Sequence, residues 1–269
     1  MHSGLRNRCV THQMVLYRKA SLVVSLIAIN IVLTALPSFG RAQAGTKEVY
    51  FYEVTWNGAK AAHGDITTYW KDGLVEVYAV AVTDNPLKRV LDIWSKVQAT
   101  FHPKTLLPRR YKYQLRSNLL RSEIVDLKFD HQSGVVTVSK HRGDSKEQHK
   151  EKIASAHDPI SAAFVLRQRM VANQSTSINI YDGKDRAKLV LTPAGTGSLH
   201  VKGGTFRSSK WHFRVLKITG DKREVAKGYL WVSDDSDKIP LLLTSRPVVG
   251  TVRFELVGVQ NQRHEASAR

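Results

Sequence analysis

Three histidines, His141, His149 and His157, stand eight residues apart beside Asp144, Glu147 and Glu151, residue types that hold transition metals. A metal site there would need ligands converging from a flexible segment, and zinc motifs space their ligands more tightly. The stretch reads as solvated charge, and no metal is expected. "SDDSDKIP" (233–240) gathers three carboxylates but lacks the central Gly and distant Glu of a calcium loop. It lies between strand-like runs and reads as a polar hairpin turn. "PAGTGS" (193–198) has glycines but neither a phosphate-binding lysine nor a following helix, and reads as a loop. No H-E-x-x-H, G-x-S-x-G or G-x-x-x-x-G-K-[ST] run occurs, and the carboxylates elsewhere are too scattered to pair an acid with a base. No catalytic residue and no cofactor is nominated.

Binding chemistry is better represented. "PRRYKYQLR" (108–116) alternates Tyr111, Tyr113 and Leu115 with Arg110, Lys112, Gln114 and Arg116. "KWHFRVLK" (210–217) alternates Trp211, Phe213 and Val215 with Lys210, His212 and Arg214. Residues 104–121 hold six basic side chains and no acid, and residues 202–217 hold five and no acid. A half-buried antiparallel sheet with a soluble outer face explains this pattern. So does an anion-binding face made of Arg110, Lys112, Arg116, Lys210 and Arg214. On the apolar side, Tyr111, Tyr113, Trp211 and Phe213 are candidate ligand contacts, together with Ile160 and Phe164 of a helix.

The elements that must position these residues are mostly strands. "EVYFYEVTW" (48–56) puts Tyr50, Tyr52, Val54 and Trp56 on one face, and Asn57-Gly58 follows as a hairpin turn. Strand-like runs continue at 65–70, 74–82, 97–101, 109–116, 123–129, 135–139, 177–181, 186–192, 211–219, 226–233, 239–244 and 248–258, with a short helical turn within 84–95. "KHRGDSKEQHKEK" (140–152) lacks apolar periodicity and is expected to be a polar loop. The one principal helix is expected over 158–171: Asp158 suits the N-cap, Pro159 the first position, and Ile160, Ala163 and Phe164 form a stripe. The tail, about 260–269, is expected to be disordered.

Compartment follows from the N-terminus. Arg18-Lys19 precedes the apolar run "SLVVSLIAINIVLTAL" (21–36), and Ala42-Gln43-Ala44 is a small-x-small cleavage site. Residues 1–44 read as a signal peptide and 45–269 as a single β-rich periplasmic domain; the alternative is an uncleaved anchor in the inner membrane with the domain facing the periplasm. The chain of 269 residues has a formal charge of +18, and the first 44 residues contain five basic side chains and no acid, which leaves +13 on the rest. The single cysteine, Cys9, precedes the apolar run, which excludes disulfides and thiol chemistry from the exported part. Outside the cytoplasm, a basic surface faces lipid headgroups and other envelope polyanions, so no nucleic acid partner is expected.

Five landmarks carry a resemblance: "YEVTWNG" (52–58), "HPKTLLPRRY" (102–111), "DPISAAFVLR" (158–167), "YDGKDRAKLVL" (181–191) and "YLWVSDDSDKIPLLLTSRPVVGTVRFEL" (229–256). In order and spacing they resemble the exported bacterial proteins grouped as domain of unknown function 3108. The resemblance implies a strongly curved antiparallel sheet or half-barrel with a helix on its concave side, similar in outline to periplasmic lipoprotein carriers; a two-sheet β-sandwich is the alternative. It implies no activity and no catalytic residue. The segment 140–152 departs from the family by being longer and more charged. The helix then has two readings, permanent packing or a lid over an apolar cavity. The leading functional reading is a non-catalytic binding protein for a hydrophobic or amphiphilic, anionic envelope molecule, with peripheral membrane contact. A structural or assembly factor of the envelope without a small ligand comes second, and an enzyme third.

Overall fold

Alternation of apolar and polar side chains sets the architecture. In "LVEVYAVAVT" (74–83), Val75, Val77, Ala79, Ala81 and Thr83 are buried and their neighbours are half-exposed. In "IWSKVQATF" (93–101), Ile93, Ser95, Val97, Ala99 and Phe101 are buried in the same way. Such strands bury one face and leave the other in water. The computed structural model describes residues 46–263 apart from 72, 154–155, 172 and 247–249. The expected signal peptide lies outside the described residues.

The described chain forms β1 (Thr46–Trp56), β2 (Ala59–Lys71), β3 (Leu74–Thr83), β4 (Ile93–Phe101), β5 (Pro108–Ser117), β6 (Glu123–Asp130), β7 (Val135–Arg142) and β8 (Ser145–Lys152). Helix α1 (Pro159–Arg169) follows, then β9 (Thr176–Tyr181), β10 (Arg186–Val201), β11 (Gly204–Lys217), β12 (Glu224–Ser233), β13 (Pro240–Ser245) and β14 (Val252–Arg263). A single 3-10 turn, Leu87–Arg89, lies between β3 and β4. All fourteen strands belong to one sheet in the order β8-β7-β6-β5-β4-β3-β2-β1-β14-β13-β12-β11-β10-β9. Every neighbouring pair is antiparallel, so the fold is one open, curved sheet and not a sandwich. The first and last strands pair at its middle, and its edges, β8 and β9, are consecutive strands joined by the helix.

Side chains draw those edges together. Glu151 on β8 accepts from the Tyr181 hydroxyl at 2.6 Å and from the Arg186 guanidinium at 2.5 Å. Arg186 also donates to the Lys152 carbonyl at 2.9 Å, and Lys184 pairs with Glu123 at 2.5 Å. Gly183 sits in the β9–β10 turn with positive φ, and an added Cβ would come within 2.6 Å of Val125 and 2.9 Å of Leu127. The turn therefore packs tightly against the buried side of β6, a fit that requires glycine. His157 closes the edge of β9: its backbone N–H donates to the Asn179 carbonyl, and its carbonyl accepts from Tyr181.

Helix α1 spans 159–169, within the expected 158–171. Asp158 accepts from the N–H groups of Ile160 (2.8 Å) and Ser161 (3.1 Å), which satisfies two otherwise free donors at the helix start. The burial of the helix extends beyond the stripe of Ile160, Ala163 and Phe164. Every residue from Pro159 to Arg167 is buried, and only Gln168 and Arg169 reach the surface. A sheet that curves around a helix buries the whole circumference, so the side chains Ala162, Val165 and Leu166 off the stripe also belong to the core.

Three other expectations are corrected. Residues 140–152 are not a loop: they complete β7 and form β8, in register from Val135↔Lys152 to Arg142↔Ser145. β8 is largely exposed on both faces, so burial imposed no alternation, and its lysines suit an unpaired edge. "PAGTGS" lies inside β10, where Pro193 and Gly195 flank a bulge that removes the need for a proline N–H. The expected disordered tail is strand up to Arg263; the rest lies outside the described residues.

Candidate binding surface

The two groups of candidate side chains go to opposite faces of the sheet. Tyr111, Tyr113, Trp211 and Phe213 point to the concave side and are buried, as are Ile160 and Phe164 of α1. All six belong to one continuous core cluster. Phe164 meets Phe101 edge to face at a centroid distance of 4.6 Å. Burial pushes the Tyr111 and Tyr113 hydroxyls well above their ordinary range, and nearby acidic groups push the same way. Two hollows of about 420 and 440 Å³ lie by Trp94 and by Leu119, away from the helix. The helix is packed as core.

The core holds few ionisable groups. Asp158 caps the helix, and burial raises its carboxyl to about 6 against the pull of the Ser161 and Ile160 donors. Arg167 is 3% exposed; burial brings its guanidinium down to about 10, opposed by Tyr50, Asp237, Glu48 and Asp235. Glu48 accepts from the Tyr50 hydroxyl at 3.0 Å. Next to the helix, burial lowers His157 to about 4, helped by Arg169 and His131. These groups hold the helix in place and face other protein groups instead of a cleft. Among the described residues, no three His, Cys, Asp or Glu side chains gather around a common point. His149 sits by Glu147 at 3.1 Å, and His157 reaches the Ser161 hydroxyl at 3.3 Å.

The basic candidates Arg110, Lys112, Arg116, Lys210 and Arg214 alternate with those buried residues and stand on the outer face. Neighbouring strands neutralise two of them. Arg110 makes two hydrogen bonds to Asp126, at 3.0 and 2.6 Å, and Arg214 reaches Glu224 at 2.7 Å. Arg116 instead lies over the Trp94 ring at 4.9 Å. Lys210 stands over two rings at once, 4.2 Å from the centroid of Tyr229 and 4.9 Å from that of Trp231. A cation over an aromatic face is held by the ring quadrupole without losing its charge.

Strand pairing builds this cluster. The β11–β12 register places Lys210 opposite Trp231 and His212 opposite Tyr229. His212 packs against Tyr229 at 5.3 Å, Tyr229 against Trp231 at 6.0 Å, and Tyr229 is 40% exposed. Tyr229 and Trp231 were absent from the sequence candidates, although "YLWVS" alternates them with Leu230 and Val232. Only the register shows that they stand beside Lys210. A second ladder crosses β1–β4, with Lys47 over Tyr69 and Lys96 over Tyr78 at 5.8 Å each, and Tyr69 against Tyr78 at 5.9 Å.

A family profile described as "Protein of unknown function (DUF3108)" matches residues 52–257. The chain belongs to the DUF3108 family. This agrees with the resemblance read from the five sequence landmarks. No curated protein matches the chain. Among solved structures, the chain is similar to a beta-barrel-like protein of domain of unknown function DUF1849 from Brucella abortus. The two are 9% identical, the match covers 82% of this chain and 99% of the other, and the TM-score is 0.54. A "putative lipoprotein" from Parabacteroides distasonis matches at 14% identity over 84% of this chain and 99% of its own, with a TM-score of 0.36. The Brucella structure supports the curved, barrel-like fold. No helix among the described residues is long and apolar enough to cross a membrane.

Proposed function

We propose that this DUF3108 protein is a non-catalytic binding protein of the periplasm that holds an anionic, amphiphilic envelope molecule against the outer face of its sheet. The observation that carries this reading is Lys210, an ammonium held over the rings of Tyr229 and Trp231. It has no carboxylate partner among the described residues. An anionic headgroup would meet Lys210, and the start of an apolar chain would meet the flanking rings. The formal charge of +13 on residues 45–269 favours the encounter and makes it salt-dependent. The helix then serves as permanent filling that keeps the sheet curved, since Ile160 and Phe164 leave no room beside them.

Titration with monomeric lyso-phosphatidylglycerol, followed by tryptophan fluorescence, tests this. Saturable quenching that is lost in Lys210→Glu and Trp231→Ala is the expected result. Quenching unchanged by either substitution, or equal with lyso-phosphatidylcholine, overturns the reading. The filled interior also suits a structural envelope factor with no small ligand. In that case no saturable change is seen, and crosslinking in cells recovers a protein or wall polymer.

A further inference from the structure

A second part of the outer surface combines charge with exposed apolar side chains. It consists of the β3–β4 connection, 84–92, and the β5–β6 connection, 118–122. Asn118 clamps the two together: its amide donates to the Val90 carbonyl at 3.4 Å, and its side-chain oxygen accepts from the Asp92 N–H at 2.9 Å. The Asn118 N–H returns to the Asp92 carbonyl at 3.2 Å. The Ser117 hydroxyl accepts from the N–H groups of Leu119 and Leu120, which shapes the second connection as a tight turn.

Within this clamped pair, the apolar residues divide by direction. Leu91 is buried, and Leu87 and Leu120 pack against the core. Val90 and Leu119 point away from it and are 68% and 43% exposed. Around them stand Lys88, Arg89, Arg116 and Arg121, all exposed and none with an ion-pair partner among the described residues. Acid is scarce: Asp84 is occupied by Lys60 (3.4 Å) and His63 (2.7 Å), which leaves Asp92. Trp94, with Arg116 over its ring, lines the adjoining hollow of about 420 Å³ with Gln114, Ser122 and Ile124.

We propose that these two connections form a docking tip for an anionic lipid bilayer. Val90 and Leu119 enter the boundary between headgroups and acyl chains, and the four unpaired cations meet anionic headgroups. Trp94 lies at headgroup level, where an amphipathic ring is stable. The assignment rests on charge complementarity and on apolar side chains held outward by a rigid clamp. It shares no residue with the Lys210 cluster. The tip also orients the molecule, because the connections at the far ends of β3, β4 and β5 face away from it.

Site-specific fluorescence tests the tip. Val90→Cys, Leu119→Cys and, as a distal control, Leu107→Cys in the β4–β5 connection are each made with Cys9→Ser and labelled with an environment-sensitive dye. Each is mixed with vesicles of phosphatidylglycerol and phosphatidylcholine, with pure phosphatidylcholine vesicles, and with inorganic phosphate. Dyes at 90 and 119 should shift to the blue on the anionic vesicles only, lose the shift in high salt, and keep it when Lys210→Glu is added. Leu119→Ser in unlabelled protein should weaken vesicle binding roughly tenfold, the effect of withholding about one leucine side chain from the acyl boundary. A response at 107 equal to that at 90, no response at any position, or an equal response to phosphatidylcholine overturns the proposal. A shift with phosphate alone also overturns it, because that points to an ion site and not a bilayer.

Discussion

Two cations beside aromatic rings live under opposite conditions in this molecule. Arg167, on the helix, is enclosed with Tyr50, Tyr52 and Glu48, and burial draws its guanidinium down to about 10. Lys210, on β11, stands outside the sheet over Tyr229 and Trp231. The inner cation has left water, so its neighbours must compensate it and its position is fixed by the fold. The outer cation keeps its solvation and can exchange water for a ligand. The difference separates a side that maintains shape from a side whose cation stays within reach of solvent.

The comparison is broken most severely from the inside. Phe164→Ala removes a fully buried ring packed against Phe101 and should cost about 3–5 kcal/mol of unfolding free energy, read by urea denaturation. Arg167→Met should cost about 3 kcal/mol, because Glu48, Asp235 and Asp237 lose the charge that opposes theirs. If that variant were as stable as wild type, the inner cation would be packing alone.

Acidity offers a subtler test. His157, depressed to about 4, contributes stability that is present above its ordinary 6.5 and lost as pH falls toward 4. Asp158, raised from 3.8 to about 6, contributes stability that is full below 3.8 and lost as pH rises through 6. Between pH 6.5 and 4 the two therefore oppose each other. Asp158→Asn retains a capping side chain and removes one arm, so urea midpoints should fall more steeply on acidification than in wild type. The difference between the two proteins should change by about 2–3 kcal/mol between pH 7 and pH 4, on the scale of 1.4 kcal/mol per pKa unit. Lys210→Met should have the smallest effect on folding, under about 1 kcal/mol, since a half-exposed cation over a ring contributes little.

The strands with one buried face were legible in the sequence because burial selects alternation. The turn at Asn57-Gly58 and the carboxylate-rich link between β12 and β13 were legible because turn chemistry is local. β8 was hidden: an edge strand exposed on both faces keeps its ladder without any apolar rhythm. The enclosure of the helix was half visible, since the stripe through Ile160 and Phe164 is present while the burial of Ala162, Val165 and Arg167 depends on a sheet that wraps around them. The Lys210 cluster was less visible still. Its members come from two strands, and only the register between 208–216 and 224–233 brings them together. The tip at Val90 and Leu119 needed the Asn118 clamp, a contact between two loops that no periodicity reports.

The pairing of β1 with β14 has a consequence for how the chain reaches this shape. Residues 46–152 and 176–263 are each a run of neighbouring hairpins, closed over short sequence distances. Thr46 against Arg263 joins them across nearly the whole described chain. Loop closure of that length is slow relative to hairpin formation. Two half-sheets can therefore form independently and be zipped along one central ladder, and the helix is enclosed only when that ladder closes. A ribosome that has not yet released the last strand holds an unzipped molecule, with the faces destined to surround Phe164 still in water.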